Sequence, residues 1–183
     1  MTFIDELDTI FQTAFDNLPS LSATGTYQYA DLDEYWSRSK EHSFTYPLLW
    51  LHDQSLAHDS ADSGNNPHVL GLSPQFAIVD TAPLNDYTAA REVTSRTYGY
   101  VLGILSFLNR YRRATGSTSP VLDKQRQINF SQIRKDGPDN TYGWLVTVPM
   151  QAQINLNLDA ALWLQQDPKI PGSPGLPPEF FTL

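Results

Sequence analysis

Apolar residues between Asn85 and Ala114 recur at alternating steps of three and four. Ala90, Val93, Thr97, Val101, Ile104, Leu108 and Tyr111 form one stripe, which is the period of a helix with a covered face. Asn85 or Asp86 can cap its start by accepting from the first free amides. Gly116 is placed to end it in the left-handed conformation. Arg110, Arg112 and Arg113 fall in the last turns, where positive charge suits the negative end of the helix dipole. About thirty residues at 1.5 Å each predict a rod of roughly 40–45 Å, long enough to run past one small sheet and meet another subunit. Gly99 and Gly103 share a face and would let a second backbone approach closely, although each costs about 1 kcal/mol relative to alanine.

Thr2 to Leu18 predicts a second amphipathic helix, with Phe3, Ile4, Leu7, Ile10, Phe11, Ala14, Phe15 and Leu18 on one side. Asp5, Glu6 and Asp8 occupy its first turns, where the dipole favours acids, and Pro19 ends it. Its polar face is acidic, which fits docking on the protein rather than lying on a membrane surface. Residues 19–43 mix Tyr27, Tyr29, Tyr35 and Trp36 with Asp31, Asp33 and Glu34, and read as a loop with a short helix near Leu32 to Ser39.

Phe44 to His52 is apolar and aromatic enough for a strand, and Pro47 within it points to an edge position or a bulge. A polar, turn-rich insertion follows over about 52–73 and predicts a mobile loop. Phe76 to Asp80 is a second strand, able to pair antiparallel with the first. Gln127 to Arg134 alternates, with Ile128 and Phe130 on one face and Ile133 out of phase, which predicts a bulge. After a turn at 135–140, Tyr142, Trp144, Val146 and Val148 alternate strictly, with Met150 and Ala152 continuing the pattern. Leu156 to Leu164 is a short helix or a loop. Residues 168–183, PKIPGSPGLPPEFFTL, hold five prolines and two glycines before Glu179, so an extended arm is expected beyond a single domain at 1–167. The closing Phe180 and Phe181 are apolar for a free tail and fit docking on a neighbour.

The chain has 183 residues, enough for one domain with a sizeable core, and no cysteine. Thiolate metal sites and disulfides are excluded, in keeping with a reducing cytoplasm. No apolar run is long enough to span a bilayer, and no basic region followed by an apolar core marks a signal peptide. The net charge of −8 is unevenly spread: residues 1–90 carry thirteen acids and two bases, residues 91–183 ten bases and seven acids. Surfaces of opposite sign favour head-to-tail association, and head-to-tail contacts that close make rings. An acidic chain also argues against specific nucleic-acid binding, which needs clustered bases.

His52, Asp53, His58, Asp59, Asp62 and His68 form the one cluster that could hold a divalent metal. Their spacing matches neither a helix-borne pair of zinc histidines nor a calcium loop. A metal-dependent enzyme or small-ligand protein using the 52–68 loop is therefore the alternative reading, and no cofactor is expected in the leading one. There is no nucleophile elbow, phosphate loop or dinucleotide fingerprint. Asp31 and Asp33 read as a solvated face, and Arg110, Arg112 and Arg113 as helix-end charges.

The order of elements is amphipathic helix, strands with a long loop, long helix, hairpin and tail, which makes an α+β chain. With FTYPLLWLH, FAIVD and DNTYGWLVTVPM, residues 1–155 resemble the tail-completion or tail-terminator neck proteins of long-tailed bacteriophages and phage-like particles. The resemblance implies a mixed, mainly antiparallel sheet flanked by helices, here the N-terminal helix and one long central helix. It also implies a non-enzymatic virion protein, assembled in the host cytoplasm as a homo-oligomeric, typically hexameric ring between the tail tube and the head connector. No functional residue is carried over from that family. Arg110, Arg112, Arg113, Phe180 and Phe181 are the candidate interface positions.

Overall fold

In the computed structural model the described residues are 3–30, 44–52, 69–112, 119–136 and 140–153. Helix α1 spans Phe3–Asp16, α2 Pro19–Ser22 and α3 Tyr87–Arg110. Strands are β1 Thr26–Ala30, β2 Leu48–His52, β3 Val69–Leu72, β4 Gln75–Thr81, β5 Val121–Leu122, β6 Asn129–Asp136, β7 Thr141–Thr147 and β8 Met150–Gln153. Five of them form a mixed sheet in the order β1-β2-β4-β7-β6, and β3-β8-β5 form a second, smaller one. Among the described residues only the β1–β2 pair is parallel. The expected segments at 32–39, 156–164 and 168–183 lie outside the described residues.

Strands β2 and β4 are buried on both faces, which is why LLWLH and FAIVD read as continuous apolar runs. Leu49, Leu51, Phe76, Ile78 and Val146 meet Leu7, Ile10, Phe11, Ala14 and Phe15 of α1 and Val101, Ile104 and Leu108 of α3 in one core. Leu48, Trp50, Ala77 and Val79 belong to a separate cluster with Ala30. The side chains of Phe3 and Ile4, expected on the covered face of α1, are outside the described set. The start of α3 packs through Ala90 and Val93 against Ala82.

Several expectations are corrected. Pro19 opens α2 at its first position, where a missing amide costs nothing. Pro47 precedes β2, which is an internal strand; the proline therefore removes no ladder bond, and its carbonyl accepts from the Thr26 amide to start the β1–β2 pairing. Residues 26–30, expected as loop, form β1, and the 52–73 insertion gives way to strand at both ends, His52 in β2 and Val69–Leu72 in β3. Ile133 sits in unbroken register opposite Gly143, and the irregularity falls later, between Arg134 and Asp136. Its phase differs because it joins the Leu48 cluster on the opposite face of the sheet. The alternation through Met150 and Ala152 is also not one strand: after Val148 and Pro149 the chain passes into the second sheet as β8.

Helix α3 is shorter than 85–114, running about 36 Å. Asp86 caps it, its carboxylate accepting from the Ala89 amide at 2.9 Å. It ends where Tyr111 turns extended (ψ 131°), well before Gly116. Gly103 receives the Leu18 side chain, not a backbone, and Gly99 faces open space.

Candidate interaction surface

Strand β6 closes one side of the five-stranded sheet, and among the described residues its outer edge pairs with no other strand. Such an edge presents backbone donors and acceptors to any incoming chain. Asn129, Phe130, Ser131, Gln132 and Arg134 are all exposed along it. Phe130, Gln132 and Arg134 stand opposite Val146, Trp144 and Tyr142, and so share the face that α3 covers. Arg134 Nε donates to Gln132 Oε1 at 2.7 Å, tying two of these side chains together.

Helix α3 lies over β7 and β4 with Ala90, Val93, Thr97, Val101, Ile104 and Leu108 turned inward. Tyr98 and Leu102, one turn apart, fall on the flank and remain 40% and 47% exposed. The Tyr98 ring lies 5.2 Å from Trp144 and 6.2 Å from Phe130, which is itself 40% exposed. Trp144 is held in place, its indole N–H donating to the Thr94 carbonyl at 3.0 Å. Leu102, Tyr98, Trp144 and Phe130 thus form an aromatic strip along the seam between helix and edge strand. Rings of this kind combine a large apolar area with few rotors and are favoured at protein interfaces.

Asp80 and Tyr27 are engaged in structural bonds. Asp80 is buried and accepts from Arg96 Nη2 at 2.7 Å and from the Thr81 amide at 2.8 Å. Tyr27 donates to Asp8 Oδ1 at 2.6 Å; burial, then that bond and the Asp8 charge, push its hydroxyl pKa well above the usual value. Near the start of β6, an open polar cleft of about 280 Å³ is lined by Ser73, Arg126, Gln127, Asn129, Thr147 and Pro149.

Of the predicted interface arginines, Arg110 is exposed at the end of α3. Arg112 Nη1 donates to the carbonyls of Asn109 and Tyr111, so it closes the helix terminus. Arg113, Phe180 and Phe181 lie outside the described residues, as do His42, Asp53, His58, Asp59, Asp62 and His68. His52 ends β2 with its ring edge-on to Trp50 at 5.1 Å. Among the described residues no group of three or more His, Asp or Glu could hold a metal ion, and no helix is long and apolar enough to cross a membrane.

Sequence reasoning missed the aromatic strip. Tyr98 and Leu102 were legible as an apolar pair one turn apart, off the main stripe of α3. That Phe130 stands beside them depends on β6 being the last strand, which no local pattern reveals.

No protein-family model matches the chain, and no curated protein matches its sequence significantly.

Proposed function

We propose that this chain is a structural component of a phage neck or tail, forming a ring that terminates the tail tube and joins it to the head connector. The observation that carries the reading is the β6 edge flanked by the aromatic strip, a surface built to receive another polypeptide. A sheet edge on one copy meeting a different surface on the next is a heterologous contact, and such contacts generate rings when the rotation closes. The division of charge between the two halves of the chain supports head-to-tail orientation.

In this reading residues 1–167 form one domain, its mainly antiparallel sheet packed by the N-terminal helix and the long central helix. Residues 168–183 extend from it as an arm. Six copies close the ring, and the tail-tube and head-connector proteins bind its two faces. Arg110, Arg112, Arg113, Phe180 and Phe181 contribute to contacts between chains. The protein acts in the virion by fit and charge, without cofactor or catalysis.

The test is assembly in the absence of the chain. Unjoined heads and tails of irregular length are expected, and restored joining when the chain is added back. Joined, infectious particles made without it would overturn the proposal.

A further inference from the structure

We propose that the aromatic strip is a receptor for the proline-rich segment 168–183 of this same polypeptide. The inference concerns the same surface as the neck reading and names the segment that the strip receives; the cross-linking test below reads that contact alone, whatever the assembled protein does.

The segment carries a regular proline repeat. Pro168, Pro171, Pro174 and Pro177 recur at every third position. A polyproline II helix has three residues per turn and a rise of about 3.1 Å, so this spacing lines all four rings along one edge, about 9 Å apart. Such a helix forms no internal hydrogen bonds and loses little entropy on docking. Its proline ridge is recognised by exposed aromatic rings set side by side. Tyr98 and Phe130 are such a pair, 6.2 Å apart, with the partly buried Trp144 ring 5.2 Å from Tyr98 and exposed Leu102 continuing the strip along α3. Proline cannot donate to a strand ladder, so the rings and not the β6 edge are its partner. Charge agrees: Glu179 precedes Phe180 and Phe181, and Arg134 stands on the ring-bearing face of β6.

The chain is long enough. Gln153 ends β8, whose first residue, Met150, lies three positions beyond Thr147, the partner of Asn129. Two such three-residue steps and one interstrand spacing put Gln153 within about 26 Å of Asn129. The fourteen residues 154–167 can span up to about 48 Å. The segment can therefore reach the strip of its own molecule, and equally that of a second copy.

The chain contains no cysteine, so introduced pairs report proximity without background. In the full chain, Gln132→Cys with Ser173→Cys is oxidised under mild conditions and compared with Thr45→Cys and Ser173→Cys. Thr45 is exposed and lies just before β2, three strands from β6. We expect the Gln132 pair to cross-link at least about tenfold faster, because docking raises the effective concentration, and Tyr98→Ala to return it to the control rate. A faster product within one chain or between two chains supports the assignment, and gel mobility tells which. Equal rates for both pairs would overturn it. Leu102→Cys, on the helical side of the strip, repeats the measurement should Gln132→Cys fail to fold.

Discussion

Arg96 of α3 donates to the buried carboxylate of Asp80 on β4 at 2.7 Å, a charged bond between the long helix and the middle of the sheet. Arg96 is half exposed, which discounts its share of the pair. Arg96→Met is expected to lower unfolding stability by about 1 kcal/mol. Asp80→Ala is expected to cost about 2–3 kcal/mol, because the Thr81 amide loses its acceptor as well. Urea titrations measure both; equal losses would show that the Thr81 bond adds nothing.

Gly99 and Gly143 should respond to alanine in opposite directions. A Cβ at Gly99 meets nothing within 4 Å, so Gly99→Ala should stabilise the helix by about 0.5–1 kcal/mol. A Cβ at Gly143 would collide with the backbone at Ile78 in the neighbouring strand, and neither chain can yield without breaking the sheet. Gly143→Ala should cost about 3 kcal/mol or more. Thermal melts of the two variants moving the same way would contradict the β4–β7 register.

Tyr27 on β1 is held to α1 through Asp8, and its hydroxyl pKa is raised. An unfolded tyrosine ionises near about pH 10, while this one stays protonated when folded. Its contribution is therefore complete below about pH 10 and is lost as pH rises further. Tyr27→Phe should cost about 1–2 kcal/mol at neutral pH and flatten the alkaline decline. Identical alkaline slopes for wild type and variant would contradict this.

Phe15 is buried against the core with its ring 6.0 Å from Tyr27. Phe15→Asp puts an unpaired charge in that core and should unfold the domain or leave it insoluble, a loss of about 4 kcal/mol or more. Unchanged melting would refute the assignment of the covered face of α1.

Part of this architecture was legible because one-sided burial leaves a period. Ala90, Val93, Thr97, Val101, Ile104 and Leu108 all turn inward because α3 rests on a single sheet face. The β2–β4 pairing was readable because each strand carries an unbroken apolar run, Leu48–Leu51 and Phe76–Val79. β1 was not, since TYQYA is only partly buried and its Tyr27 hydroxyl is spent on a polar partner. The second sheet was missed because β3, β5 and β8 have two to four residues each, too few for a period of two to stand out. The end of α3 was misplaced because Tyr111 stays on the stripe by spacing while its backbone turns extended. Arg112 bonds its own helix end, as its place in the last turn allows, while the exposed rings of Tyr98 and Phe130 come together only through strand order.

In the proposed role this protein works by fitting against other polypeptide chains. Light scattering of the full chain across a concentration series tests it most directly. A discrete species several times the 20.6 kDa of one chain is expected, with the mass of a closed ring and no larger aggregates. A single species of 20.6 kDa at every concentration would contradict it.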